Sequence, residues 1–597
     1  MTLNRVCRYL CTPQTALVVL CALAPLLALP WISPATLDVV PFVPALLIAL
    51  LGFGAAWRLR GGDRAAVSLR AIMPVFIVAG IALISLAFSL SPHTSLAGFN
   101  LETGTFLSIL FATLFFVAGW VYLRAAPYVR LAVSLLEAGA MLTTLATLWF
   151  VGSRFFLANE LTALPGAFDI SFAAGLAAVL SLSASVHRAR ASGYRLLFGA
   201  FALLAMVTCF LLPTVTSVWA GIAAASLFIA VEQVVLWKKT VSLNSGERRF
   251  PIIPFVVGVI ALGAIFMDSM ALPRPIVPQT LPAVPPLSSS VASIAGFFMD
   301  HPARLLFGAG PGQFLPVWNH RATGTVSHAA GLYDAALADL GIIGLLSVLA
   351  VFFVVIGRGV RRSISVEITQ RSEHGALVAV LYGAVAFISY YPTVTQLYVF
   401  CLLLGTVYGS ERPLATQSRY LSDARSVRMR TIAHAVLLVG SVLVLALSFL
   451  GFISVESYES GVAYALGPFP NLIKSQASIA GAVRLYPQPV YYRALAEIQG
   501  QLLSQTLTDS NLSPDERRNG VAMYAKGGID NARMAVALEP SNYLNFVVLG
   551  DLYTTLASLG ISGALEQGKA AYAQALELAP YNTLVHGLAN RLVGAGE

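Results

Sequence analysis

The sequence predicts an all-α protein: a polytopic membrane helix bundle of about twelve core spans plus one more, followed by a soluble helical-repeat domain. Three observations carry this expectation. Only 11% of the 597 residues are charged and 57% are hydrophobic, whereas soluble proteins are about 25% charged; mean hydropathy is +0.77. Apolar runs of roughly 20 residues, the length a helix needs to cross the hydrocarbon core, recur from residue 16 to residue 455. Beyond residue 456 no such run occurs, and acidic residues return as Asp509, Asp515, Glu516, Asp530, Glu539, Asp551, Glu566 and Glu577.

Thirteen runs qualify as spans, over approximately 16–33, 41–57, 71–90, 105–123, 131–151, 168–186, 196–212, 215–236, 251–272, 333–357, 375–391, 394–410 and 433–455. Arg5 and Arg8 precede the first run and no convincing cleavage site follows it, so a retained span is expected rather than a removed signal peptide. Orientation follows from Lys and Arg, which concentrate in cytoplasmic loops. With the N-terminus inside, alternate segments hold most of them, among them Arg58, Arg60, Arg64 and Arg70, then Lys238, Lys239, Arg248 and Arg249, then Arg358, Arg361, Arg362 and Arg371. The outer loops between spans keep only Arg154, Arg274, Arg304 and Arg321. The net charge of +9 is thus a topology signal, and no nucleic-acid partner is expected. An odd span count also places the tail outside. The expected domains are a membrane domain over 1–432, including a large outer loop over 273–332, a further transmembrane helix over 433–455, and an outer helical domain over 456–597.

The five cysteines, Cys7, Cys11, Cys21, Cys209 and Cys401, show neither metal spacing nor a disulfide framework. No metal and no cofactor is expected. The tail contains a repeat, with Asn531–Pro540 reading NARMAVALEP and Ala571–Pro580 reading AYAQALELAP. These segments resemble tetratricopeptide repeats, in which a helix pair ends in an Ala-Leu-x-x-x-Pro turn. Their spacing of 40, against 34 in that family, implies an inserted turn near Gly560-Ile561-Ser562.

Chemistry concentrates in Phe307–Leu346. Gly308, Gly310 and Gly312 permit tight turning and close approach to a ligand. His328 is the candidate catalytic base, since a histidine at the outer interface is able to accept a proton near neutral pH; His301 and His320 in the same loop compete for the role. Arg304, Arg321, Arg274 and Arg154 are candidate diphosphate ligands, because arginine offers planar, always-charged donors. Asp339 precedes Gly341-Ile342-Ile343-Gly344, which opens a span. Ile294–Met299 is short and apolar and is expected along the membrane interface. Within the spans charge is sparse: Glu137 is expected to make a helix-packing hydrogen bond, while Glu232 and Asp268 lie near span ends.

Together, Gly308-Ala309-Gly310-Pro311-Gly312-Gln313-Phe314, His328 and Asp339-Leu340-Gly341-Ile342-Ile343-Gly344 resemble the O-antigen ligase superfamily. That superfamily includes O-antigen ligases, O-antigen polymerases and bacterial protein O-oligosaccharyltransferases. The resemblance covers the first twelve spans, and its specific motifs occupy about forty residues. It implies a metal-independent glycosyltransferase of the bacterial inner (cytoplasmic) membrane. The donor would be a glycan on a polyprenyl (undecaprenyl) diphosphate, transferred with inversion at the outer face onto an acceptor hydroxyl of a lipid, a glycan or a protein. In that chemistry His328 orients or deprotonates the acceptor, and Arg304 and Arg321 stabilise charge on the leaving diphosphate. Two motif positions differ. Aligned on Leu332-Tyr333, Ala330-Gly331 stands where the family carries His-Asn, and Thr214-Val215-Thr216-Ser217-Val218 lacks the Arg of the family's Thr-x-Ser-Arg. Two other classes stay open: a non-catalytic scaffold of envelope polysaccharide assembly that binds a protein partner through 456–597, and a lipid-linked glycan transporter. The transporter class is disfavoured by the lack of paired intramembrane charge and of visible inverted repeats.

Overall fold

The computed structural model describes residues 13–26, 69–98, 103–123, 126–158, 167–187, 192–212, 216–241, 252–269, 284–322, 326, 328–365, 374–409 and 424–594. Among the described residues there are helices and connecting turns but no strands. The N-terminal part comprises α1 (Pro13–Leu26), α2 (Leu69–Ala87), α3 (Pro92–Ala97), α4 (Phe106–Tyr122), α5 (Ala126–Ala158), α6 (Ala167–His187), α7 (Ser192–Leu211), α8 (Thr216–Val241) and α9 (Ile252–Ser269). Two loop helices follow, α10 (Leu287–Asp300) and α11 (Phe314–Asn319), then α12 (Leu332–Ser365), α13 (His374–Ala386), α14 (Val394–Gly409) and α15 (Ala424–Leu466). Each expected span coincides with one of these helices except 41–57, which lies outside the described residues, as do Arg274, Cys7 and Cys11.

By length and composition, five described segments are apolar enough to cross a membrane: 127–153, 167–186, 193–211, 216–235 and 332–363. Shorter apolar helices surround them, including α4, α13 and α14. The large apolar core joins α1, α4–α9 and α12–α14 around fully buried Trp219, Tyr382, Tyr398 and Phe387. A polar cluster is buried within this bundle. His374 Nε2 meets Glu232 Oε2 at 2.5 Å, His374 Nδ1 meets Ser183 Oγ at 2.9 Å, and Ser363 donates to the other Glu232 oxygen.

Two features position the outer loop. First, α13 and α14 have only 13 and 16 residues, about 20 and 24 Å at 1.5 Å per residue, short of the roughly 30 Å core. In their connecting turn, Phe387–Thr393, Phe387 and Tyr390 are buried, while Ile388 is 42% exposed. Such non-helical backbone is tolerated at membrane depth only where protein covers it. Second, α12 breaks at Gly341, whose φ of 69° and ψ of −169° are non-helical. The break frees backbone groups that the loop satisfies. Ala309 N–H and Gly310 N–H donate to the Ala338 and Asp339 carbonyls at 2.9 and 3.0 Å, while Ile342 and Ile343 N–H donate to the Leu305 and Leu306 carbonyls at 3.0 and 3.3 Å.

The segment 284–322 is folded. Ile294, Phe297 and Phe298 of α10 are buried against Phe314, Val317 and Trp318. The apolar segment expected along the membrane interface therefore supplies a local core, because its large side chains meet α11 and the start of α12. Met299, at 79% exposure, is the exception.

The tail holds six helices: α16 (Leu472–Leu485), α17 (Pro489–Thr508), α18 (Pro514–Leu538), α19 (Tyr543–Ser558), α20 (Ala564–Leu578) and α21 (Thr583–Gly594). Each packs on its chain neighbour. The two repeat segments end α18 and α20. Asn542 Oδ1 then accepts from Leu544 N–H, and Asn582 Oδ1 from Leu584 and Val585 N–H. Residue 456 lies within a continuous helix. α15 runs unbroken to Leu466, about 65 Å for its 43 residues. It packs on the tail through a tilted Tyr458–Tyr491 ring contact at 4.9 Å and a 3.1 Å bond from Ser454 Oγ to the Ala482 carbonyl.

Candidate functional site

The glycine loop is strapped across the α12 break. Gly308, Gly310 and Gly312 have φ of 75°, 114° and 70°, in the region that favours glycine. A Cβ at Gly308 would collide with the Asp339 carbonyl and the Gly341 nitrogen, and one at Gly310 with the Ser89 side chain. Serines at the end of α2 complete the cradle. Ser85 Oγ lies 2.6 Å from the Phe307 carbonyl and 2.8 Å from the Asp339 carbonyl, sharing one proton between them.

Asp339 sits behind the loop, only 2% exposed. Its carboxylate accepts the backbone N–H groups of Gly312, Gln313 and Phe314. These donors offset part of the cost of burying the carboxyl group. Its Oδ1 has no hydrogen-bond partner among the described residues. Asp339, Gly104 and Tyr391 line a cavity of about 110 Å³ whose other walls are mostly apolar side chains of α2, α4, α12 and α14, such as Val75, Phe116, Val351 and Leu397.

His328 stacks on Tyr391, with ring centroids 5.2 Å apart and an interplanar angle of 13°. The Tyr391 hydroxyl donates to the Thr103 carbonyl. His328 Nδ1 lies 2.7 Å from the Ala329 carbonyl. A carbonyl only accepts, so Nδ1 carries the hydrogen and the neutral ring presents its lone pair at Nε2. His328 is also within electrostatic reach of Asp169, which accepts from Tyr390 Oη and from Gln396 Nε2 at 3.2 Å.

The other expected site residues lie elsewhere. Arg304 Nη1 donates to the Phe88 carbonyl at 2.8 Å, next to the C-terminus of α2, and partial burial lowers its pKa. That leaves further N–H groups of its guanidinium for other partners. Arg321 Nη2 pairs with Asp300 Oδ2 at 2.6 Å, and His320 Nε2 meets the same oxygen at 3.0 Å. The His320 hydrogen bond first, and the Arg321 bond and charge after it, hold the Asp300 carboxyl below the usual range. His301 stacks on Phe297 at 4.6 Å and meets His320 edge-on at 5.3 Å. Among the described residues, no hydrogen bond or ring contact joins Arg304, Arg321, His301 or His320 to His328. Arg154 belongs to the last turns of α5, and Arg274 lies outside the described residues. Glu137 is buried in α5. Among the described residues no cluster of His, Cys, Asp or Glu is arranged to hold a metal ion.

Ala330 and Gly331 have a backbone role. Their N–H groups donate to the Asp334 carboxylate at 3.0 and 2.7 Å, and Ser290 donates to it as well. A Cβ at Gly331 would collide with the Phe387 and Ile388 carbonyls, so the position aligned with the ligase asparagine is closed to a side chain.

Sequence reasoning missed Tyr391, Gly104, Gln313 and the serines 85, 89 and 91. The dense run Ser85–Ser95, with four serines and a threonine, was the available signal. No protein-family model matches this chain, and no curated protein matches it. The functional reading therefore stands on the residues and their geometry.

Proposed function

We propose that the protein is a membrane glycosyltransferase of O-antigen ligase type. It transfers or polymerises a glycan from a polyprenyl-diphosphate carrier onto an acceptor hydroxyl. In this reading the chain has twelve core spans and a thirteenth, with a cytoplasmic N-terminus and a periplasmic tetratricopeptide-like tail, in a bacterial inner membrane. The supporting observation is the juxtaposition of His328, through Tyr391, with a mostly apolar cavity lined by Asp339, the residue that the glycine loop packs against.

The cavity suits the first isoprene units of a carrier, because burying apolar surface stabilises by about 25 cal/mol per Å². His328 Nε2 takes the acceptor proton as the oxygen attacks the anomeric carbon and the carrier diphosphate leaves. The spare donors of Arg304 are the candidate cationic groups to meet that diphosphate. Arg321, already paired with Asp300, is the weaker candidate. A positioned general base contributes about 100- to 10,000-fold. Glycan transfer should therefore fall at least about 100-fold in membranes carrying His328→Ala. Transfer within a few-fold of wild type would eliminate His328 as the base.

A second reading, a non-catalytic assembly scaffold, is favoured by one observation. Position 331 is closed to the side chain that active ligases carry there. Retention of polysaccharide assembly in cells carrying His328→Ala, together with loss on disruption of the tail, would select it.

A further inference from the structure

The turn between α18 and α19 buries one residue, Ser541, while Pro540 beside it is exposed. Ser541 is 7% exposed, and its partners come from the membrane domain. Its hydroxyl lies 2.7 Å from Ser91 Oγ and 3.1 Å from Gln313 Oε1. The amide oxygen of Gln313 only accepts, so Ser541 donates to it and Ser91 donates to Ser541. Ser541 N–H completes the circuit with a 3.4 Å contact to Ser91 Oγ. Gln313 is itself buried, and its Nε2 donates to Thr94 Oγ1 at 3.1 Å. The backbone N–H of the same residue holds the Asp339 carboxylate. One glutamine thus touches α3, the tail and the carboxylate of the candidate site.

The turn is shaped before it docks. Asn545 Nδ2 donates to the Ala535 and Glu539 carbonyls at 3.2 and 3.0 Å, and Asn542 Nδ2 donates to Glu539 Oε2 at 3.0 Å. Arg493 reaches Asn545 Oδ1 at 3.3 Å. One repeat further on, Pro580-Tyr581-Asn582 makes the equivalent turn, and Tyr581 there is 47% exposed. Burial of Ser541 is therefore a property of docking and not of the repeat.

We propose that Ser541 is a latch. It seats the tail in a socket of Ser91, Thr94 and Gln313, and by holding Gln313 it fixes the glycine loop and the Asp339 carboxylate. Gln313 is the positioning residue of this relay. A ligand or partner that shifts α18 against α19 would change the loop through it. The inference stands apart from the reaction assigned to the site, since neither readout below depends on catalysis.

The test uses the full chain in membranes. A Ser91→Cys/Ser541→Cys pair, oxidised with diamide, should yield the 91–541 cross-linked peptide by mass spectrometry in most of the protein. A Ser91→Cys/Tyr581→Cys pair should give at least tenfold less. Equal yields from the two pairs, or no 91–541 link, would overturn the docking. In a second arm, Ser541→Leu should speed hydrogen exchange in peptides spanning 308–314 by tenfold or more. Peptides spanning 564–578 serve as the control for an intact tail and should stay unchanged. Exchange at 308–314 equal to wild type would show that the loop is held without the tail, and the relay would be rejected.

Discussion

Replacing Gly308 with alanine should loosen the glycine loop far more than the same change at another left-handed glycine. At φ of 75° an L-residue costs about 1–2 kcal/mol. The new Cβ also meets the Asp339 carbonyl and the Gly341 nitrogen. Both are backbone atoms fixed by the strap across the α12 break, so they yield only by moving the loop. Overpacking of that kind costs about 1–3 kcal/mol, and the total is about 2–5 kcal/mol. Gly560 provides the control: its φ is 77° and a Cβ there meets nothing within 4 Å, leaving only the conformational cost of about 1–2 kcal/mol. The excess of about 1–3 kcal/mol is roughly a 5- to 140-fold difference in an opening equilibrium, at tenfold per 1.4 kcal/mol. Hydrogen exchange reads it directly. The amides of Ala309, Gly310 and Ile342 report the loop, and those of Gly560 and Ile561 report the control turn. Equal acceleration at the two sites would mean that the loop is not pressed against Asp339, and the geometry of the site would have to be abandoned.

Three further outcomes follow from the same physics. His374→Ala leaves Glu232 buried without its imidazole partner, and breaking such a buried pair costs about 3–5 kcal/mol; a lowered unfolding midpoint in detergent checks this, and an unchanged one contradicts the pairing. Gly331→Asn, which introduces the ligase-type residue, should lower that midpoint too, because its side chain meets the Phe387 and Ile388 carbonyls. Finally, burial raises the pKa of Glu539, so the folded tail holds that proton more tightly than the unfolded chain. The associated stability is present at low pH and is lost as pH climbs from the ordinary glutamate value of 4.5 through the raised one. Glu539→Gln should flatten this pH dependence in exchange from peptides spanning 543–558, after correction for intrinsic rates, and an unaltered slope would refute the assignment.

Much of the scaffold is written in local pattern. The apolar run at 105–123 became α4 at Phe106–Tyr122, and the repeated stretches Asn531–Pro540 and Ala571–Pro580 cover the ends of α18 and α20. The loop, His328 and Asp339 were legible together because they share one contiguous stretch. What escaped was pairing over distance. Ser541 and Ser91 are 450 residues apart, and Tyr391 is one aromatic residue in a turn, so neither leaves a periodic trace. Nor does sequence distinguish Gly341 from Gly344. Both stand in an apolar segment, yet only Gly341 has a positive φ, because the glycine loop satisfies the backbone groups its break exposes. The pairing of Arg321 with Asp300 was equally invisible, since it depends on α10 folding back over the loop.

The proposed chemistry meets its sharpest test in a structure of the protein purified with a polyprenyl diphosphate. The prenyl chain should occupy the space between α2, α4, α12 and α14, with the diphosphate at the glycine loop and the glycosyl carbon within reach of an acceptor oxygen bonded to His328 Nε2. Affinity for the lipid should drop at least tenfold in Val351→Trp, which fills the cavity. A carrier bound away from His328 and Tyr391, with affinity unaffected by Val351→Trp, would contradict the assignment of this site.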